Sequence, residues 1–241
     1  MRLLPWKSAP PAYWVAFSTR VGGVSEGPFH SLNLGLLTDD EPEHVVENRR
    51  RLATQLGIEP ERATMTLQVH GARVVEAEPL GVVAPGTPYE RADGLWSDQP
   101  GQGMLLVTAD CLPIAVARAG GEPRLAVLHA GWKGLLEGIA EAGAQALADG
   151  ELVAAIGPGI GPCCYEVGEE VAALYRERFG ADVLQGRNLD LPLAAERALR
   201  EAGCAEVERS ELCTACNPEL FFSHRRDRGR TGRQGVVGAL R

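Results

Sequence analysis

The chain has 241 residues, 45% of them apolar, enough for one large domain or two small ones with a sizeable core. A net charge of −8 argues against general affinity for nucleic acid or an anionic membrane, while leaving room for a local basic pocket that takes a small anion. The run Met1–Lys7 is broken by Pro5 and Lys7 before a secretory signal develops, and no segment reaches the ~18 apolar residues of a membrane span; the expected location is the cytoplasm, with the cysteines as thiols or ligands rather than disulfides.

In chain order, Tyr13–Phe17 predicts a short strand. It opens into a Gly-, Ser- and Asn-rich loop from Ser18 to about Leu37, long enough to suggest a functional role. A helix follows, with Asp39 or Asp40 as its cap, Pro42 in its first turn, Val45, Leu52 and Leu56 on one face, and Gly57 at its end. Strands are expected at 64–69, 73–78, 104–108, 113–117 and 124–129, with a loop over Pro79–Pro88. Gly134–Ala148 has a helical pattern, Leu152–Ile156 reads as a buried strand, and Val167–Phe179 and Leu191–Ala202 read as helices. Strands at Glu206–Ser210 and Gly235–Leu240 complete the chain. With no repeat or linker, a single domain over 1–241 is expected. Strands clustered between helices indicate an α+β fold rather than strict βαβ alternation.

Three polar residues stand at the ends of apolar strands: His70 after Thr64–Val69, Cys111 after Leu105–Asp110, and His129 after Leu125–Leu128. A thiol and two imidazoles form a candidate zinc site with three protein ligands and an open fourth position, the pattern of a catalytic zinc. A lone strand-end histidine is more often a hydrogen-bonded core residue and a buried cysteine a small hydrophobe, so spacing alone leaves both readings standing. Gly157-Pro158-Gly159-Ile160-Gly161-Pro162 sits between a strand and a helix, but its prolines remove donors a phosphate loop needs, and a tight turn is the better reading. Cys163-Cys164 and Cys213-x-x-Cys216 could together bind zinc or act in redox chemistry; adjacent cysteines make a poor first pair, and ordinary thiols are preferred. Ser223, Arg225, Arg226 and Arg233 lie in a basic stretch suited to phosphate or carboxylate, with a solvated turn as the bland alternative.

Taken in order, these segments resemble the YfiH family of laccase-domain (polyphenol oxidase) proteins, now described as purine nucleoside phosphorylases. The matching pieces are Ser18-Thr19-Arg20 with Gly22-Gly23-Val24-Ser25, Ser31–Gly35, Asn48-Arg49, Gln68–Gly71, Ala92-Asp93-Gly94 and Thr108–Cys111 with Pro113. They continue with His129–Gly134, Gly157–Val167 and Phe222–Arg233. His224, where relatives often carry Tyr, is the visible departure. The resemblance implies a layered α/β/β/α sandwich with mixed sheets, similar to the fold of a bacterial toxin deamidase. It implies zinc on His70, Cys111 and His129, and attack of phosphate on the ribose of adenosine, inosine, guanosine or methylthioadenosine, with some hydrolytic deamination of adenosine.

The expected partners are therefore purine nucleosides and inorganic phosphate. Arg225, Arg226, Arg233, Ser223 and Asn33 are the candidates for binding them. Arg20, Asp93 and Asp110 are the candidates for catalytic roles: Arg20 as a further cation, the acids as proton carriers or as groups orienting a metal-bound histidine, although a loop aspartate is more often a turn former. Two alternatives stand beside this. Two histidines and a cysteine are also the blue-copper set, so copper is possible, but an oxidase needs further imidazoles and only His30, His44 and His224 remain. A cysteine hydrolase would use Cys111 as nucleophile and His129 as base.

Overall fold

Alternation along the strands sets the architecture. The computed structural model describes residues 1–81, 87, 89–148 and 150–241. In chain order its elements are β1 (Leu3–Pro5), β2 (Tyr13–Ser18), α1 (Pro42–Gln55), β3 (Ala63–Thr64), β4 (Val74–Glu76), β5 (Gly94–Ser97), β6 (Gly103–Thr108), β7 (Leu112–Arg118) and β8 (Leu125–Ala130). They continue with α2 (Trp132–Leu136), α3 (Ile139–Ala146), β9 (Leu152–Ile156), α4 (Glu169–Phe179), β10 (Leu184–Gln185), β11 (Asn188–Leu189), α5 (Leu191–Glu201), β12 (Cys204–Arg209) and β13 (Gln234–Leu240). One sheet has the order β1-β2-β13-β6-β3 and a second has the order β12-β9-β7-β8-β5-β4. Both are mixed: β3/β6, β12/β9 and β4/β5 run parallel, and the remaining pairs of these two sheets antiparallel.

Successive side chains of one strand enter different layers. Met104, Leu106, Ala115, Ala117, Leu125, Val127, Val153, Ala155 and Val236 meet between the two sheets. Their neighbours Leu105, Val237 and Ala239 turn outward onto Leu52, Ala53 and Leu56 of α1. On the far side, Ile114, Val116, Ala126, Leu128, Ala154 and Ile156 pack beneath α2, α3, α4 and α5. The result is the expected α/β/β/α sandwich in one domain. Each fully buried Leu, Ile or Val in these three apolar clusters contributes roughly 1.5–3 kcal/mol. No described helix is long and apolar enough to cross a membrane.

Several elements differ from expectation. The strand expected at 64–69 leaves the ladder after Thr64, and residues beyond it run toward β5 through a Leu67–Arg91 bridge. The helix expected over 134–148 is two helices, broken at Gly138, whose φ of +93° suits glycine. Neither Asp39 nor Asp40 caps α1; Asp40 Oδ2 accepts from Ser25 Oγ at 2.6 Å and Asn33 Nδ2 at 2.9 Å instead. β5 and the β10–β11 hairpin are too short to show a period. Most of the Pro79–Pro88 loop lies outside the described residues.

Candidate metal centre and cavity

β7 and β8 are antiparallel neighbours with Pro113 opposite His129, which sets Cys111 beside the end of β8. His70 arrives from the segment between β3 and β4, and its ring meets that of His129 edge-on, centroids 4.8 Å apart. The ligand atoms of His70, Cys111 and His129 all lie within 4.8 Å of one another. His129 is buried, Cys111 half-buried and His70 exposed at the rim. Gly131 keeps the space clear: a Cβ there would stand 3.0 Å from Cys111 Sγ and 3.1 Å from His70 Cδ2.

Asp93 organises this cluster from behind. Its Oδ1 accepts from His129 Nδ1 at 2.8 Å and from the His70 amide at 2.8 Å. Oδ2 accepts from the amides of Gly71 at 2.8 Å and Val69 at 3.1 Å. An ionised carboxylate requires a proton on Nδ1, so His129 presents Nε2 as its donor atom. Burial opposes charge on Asp93, but His129 and the Gly71 and Val69 amides outweigh it and hold the carboxyl below its ordinary value. Those amides also stabilise the turn that holds His70 at φ +61°, an uncommon region for a residue with a Cβ.

Cys111 and His129 shift in opposite directions. Burial pushes the thiol up, but the neighbouring imidazoles of His129 and His70 outweigh it and bring Cys111 down to about 6. Burial pushes His129 down, yet the thiolate and Asp93 raise it to about 9. Without a metal the pair is a thiolate and an imidazolium. A metal taken up here would meet a Cys111 that already favours the thiolate form and would displace the proton from His129.

The three donors face a cavity of about 850 Å³, ample for a nucleoside and an anion. Of the residues expected to bind or react, Asp110, Arg225 and Arg233 line it, with the three donors. Arg225 stacks over the Tyr165 ring at 5.3 Å and donates to Glu166 O at 2.9 Å. Arg233 is carried by Asn33, whose Oδ1 accepts from the Arg233 amide at 2.8 Å. Burial lowers the Arg233 pKa, against the opposing pull of Cys111 and Asp110. Asp110, at φ +87°, spends one carboxylate oxygen on Thr214 Oγ1 (2.6 Å) and the other on the Arg225 amide (2.7 Å).

Arg20, Arg226, Ser223, Asn33 and Asp93 stand outside the lining. Arg20 donates to His30 O at 2.7 Å and Pro218 O at 3.0 Å, clasping the 18–37 loop. Arg226 forks onto Asp227 at 2.8 and 2.7 Å and also donates to Thr214 O and Phe221 O. Ser223 Oγ accepts from the Arg226 amide. Asn33 Nδ2 donates to Thr38 Oγ1 at 2.9 Å, so its side chain shapes the loop. Asp93 touches ligands rather than the cavity. These five hold the site together rather than face its contents.

Three further lining residues fall within segments that carry the family resemblance, yet are not among the candidate site residues. Tyr165 follows the cysteine pair. Thr108 has a buried hydroxyl with no hydrogen-bond partner among the described residues. Arg49 is buried on α1, with Nε on Leu34 O at 2.8 Å and Nη1 on Tyr89 Oη at 3.3 Å. Its neighbour Asn48 donates to Ser31 O and Asn33 O and accepts from the Val24 amide, so the long loop is pinned to α1. The 157–162 segment is a packing turn: a Cβ at Gly157 would meet Phe17 at 2.2 Å, and one at Gly159 would meet Leu112 at 2.4 Å.

A purine nucleoside phosphorylase of Pseudomonas aeruginosa is 40% identical over 245 residues, covering 96% of this chain and 95% of that protein. The Escherichia coli purine nucleoside phosphorylase YfiH is 38% identical over 242 residues, with 96% and 95% covered. A crystal structure of a Neisseria meningitidis protein superposes with a TM-score of 0.90 at 32% identity, covering 100% of this chain and 99% of that one. A family profile described as multi-copper polyphenol oxidoreductase laccase matches residues 14–241. On this match and on full-length likeness to YfiH, the chain belongs to that laccase-domain family.

Proposed function

We propose that the chain is a single catalytic domain, a zinc-dependent purine nucleoside phosphorylase acting on adenosine, inosine, guanosine and methylthioadenosine, with hydrolytic deamination of adenosine as a side activity. The observation that carries this is the cavity itself, whose lining gathers one cysteine and two histidines at a single place together with two arginines. Full-length relatives named purine nucleoside phosphorylase support it. One sulfur and two nitrogen donors suit zinc, and the space kept clear by Gly131 fits an ion. Bound there, zinc supplies Lewis acidity and an activated water.

The chain's own groups account for binding and orientation. Arg225 and Arg233 receive inorganic phosphate through charge-assisted hydrogen bonds. A phosphate oxygen then attacks ribose C1′, the bond from C1′ to purine N9 breaks, and the base leaves with that electron pair and takes up a proton. Asp93 keeps His129 presenting Nε2. Asp110 fixes the Arg225 backbone through its amide. Thr108 offers the hydroxyl for which the substrate supplies a partner. In deamination, water replaces the C6 amino group and ammonia leaves.

Product analysis tests the reading. Adenosine with phosphate is expected to yield adenine and ribose 1-phosphate. Without phosphate, only slow formation of inosine is expected. Robust phenol oxidation by zinc-only protein, with no base released from any purine nucleoside, would instead favour polyphenol oxidation. Against that alternative, His30, His44 and His224 join no cluster of metal donors among the described residues. One observation favours a second reading: the thiolate–imidazolium pair of Cys111 and His129 is also the arrangement of a cysteine hydrolase. Zinc held by Cys111 would block that nucleophile, so alkylation of Cys111 in the protein as purified separates the two.

A further inference from the structure

β9 and β12 are parallel neighbours, so their C-terminal ends emerge side by side. The pairing continues past both strands: Gly159 bridges Cys213, and the Thr214 amide donates to Gly159 O at 2.9 Å. Cys163-Cys164 follow one strand and Cys213-x-x-Cys216 the other. The topology therefore brings a pair and a pair to one place. Adjacent cysteines ordinarily diverge, but here the chain turns tightly through them. The amides of Cys164 and Tyr165 both donate to Gly161 O at 3.0 Å.

The four sulfurs lie within 4.8 Å of one another. Cys216 Sγ is 3.5 Å from Cys163 Sγ and 3.3 Å from Cys164 Sγ. Four thiolates at ~2.3 Å from a tetrahedral zinc stand about 3.8 Å apart, within this spread. One disulfide would bond a single pair at ~2.05 Å and leave two thiols without a role. Apolar packing does not explain the cluster either, because Cys163 and Cys216 are exposed and only Cys213 is buried. Cys213 Sγ also accepts from the Gly161 amide at 3.3 Å, the kind of donor that steadies a metal-bound thiolate.

We propose that Cys163, Cys164, Cys213 and Cys216 bind a second zinc ion, separate from the cavity centre and closed by four thiolates. Its place in the fold gives it a mechanical role. Tyr165, which supports Arg225, follows Cys164 directly. Thr214, which bonds Asp110 and accepts from Arg226, sits inside the Cys213–Cys216 turn. The ion thus clamps two connections to the cavity wall without touching the cavity, whose lining includes none of the four cysteines. The inference does not depend on the activity proposed above.

Elemental analysis of protein purified without added metal tests it. Wild type is expected to carry two zinc per chain, Cys111→Ser one, and the Cys163→Ser/Cys216→Ser variant one with a lower melting temperature. An organomercurial titration of wild type, which requires no variant, is expected to release both ions. Cobalt-exchanged Cys111→Ser protein is expected to show the intense sulfur-to-metal absorption of a four-thiolate site. Cys111→Ser protein that carries no zinc, with Cys163, Cys164, Cys213 and Cys216 mapped as free thiols or as disulfides, would overturn the proposal.

Discussion

His70, Cys111 and His129 face a cavity, whereas Cys163, Cys164, Cys213 and Cys216 meet outside its lining. In the first set Cys111 and His129 stand at the adjacent ends of β7 and β8 and His70 comes from the segment between β3 and β4; the second set follows β9 and β12. The first has three donors and needs help to aim them: Asp93 fixes one imidazole and the amide of the other. The second has four thiols and needs little beyond a tight turn and one amide. Three donors leave a position for substrate or water, while four close the shell. On the two proposals above, the contrast separates a centre for chemistry from one for support, and each prediction below breaks or sharpens it.

Cys111→Ser should have the largest effect: loss of the cavity zinc and a fall in phosphorolysis kcat/KM of about 10³-fold or more, equivalent to about 4 kcal/mol. The four-cysteine zinc should remain, as metal counting would show. Asp93→Asn keeps the shape but removes the charge behind His129, and should lower zinc affinity or activity by about 10–100-fold; competition with a chelator measures the first. Arg225→Ala and Arg233→Ala should each raise the phosphate KM by about tenfold or more, since a charge-assisted hydrogen bond contributes about 1.5–3 kcal/mol. Arg226→Ala removes a clasp instead. It should lower the melting temperature by about 5 °C, from about 2 kcal/mol of lost bonding, with little change in phosphate KM.

The smallest effect concerns pH in the metal-free protein. Cys111 is depressed to about 6, so its thiolate is lost as pH falls through 6. His129 is raised to about 9, so its proton is lost as pH rises through 9. The ion pair therefore stabilises the metal-free fold between these limits and fades outside them. Iodoacetamide labelling of Cys111, read by peptide mapping, should show a midpoint near 6 in metal-free protein and be suppressed once zinc is bound. A midpoint near the ordinary thiol value would mean the two side chains do not pair.

The strands β6, β7, β8 and β13 were legible as apolar runs, but both of their faces are buried, so they show no alternation from which layers could be read; the layered sandwich came from the family resemblance. The trio stood out as polar residues closing apolar runs, although the run before His70 is a strand only over Ala63–Thr64, and it was the family resemblance that decided between a metal set and core residues. Asp93 stands in the sequence as a candidate for orienting a metal-bound histidine or carrying a proton, but which partners it takes, one ring nitrogen and three amides, was not legible because amides leave no trace in sequence. Arg20 and Arg226 resembled Arg225 and Arg233 for the same reason: all four guanidinium groups donate to backbone carbonyls, and packing alone decides that Arg225 and Arg233 also line the cavity. The cysteine pair at 163–164 looked unsuitable for a metal because the turn around Gly161 that wraps it shows only in three dimensions. Thr108, at the end of β6, and Tyr165, in the turn after the cysteine pair, lie within segments that carry the family resemblance, but nothing local in the sequence shows that they line the cavity.

The most direct test is a zinc titration of metal-free Cys163→Ser/Cys216→Ser protein, in which the cavity centre is the one proposed zinc site left among the described residues, with ribose 1-phosphate from adenosine and phosphate as the readout. The expected rate rises linearly and breaks at one zinc per chain. Full phosphorolysis before any zinc is added, or none after one equivalent has bound, would contradict the assignment of the chemistry to His70, Cys111 and His129.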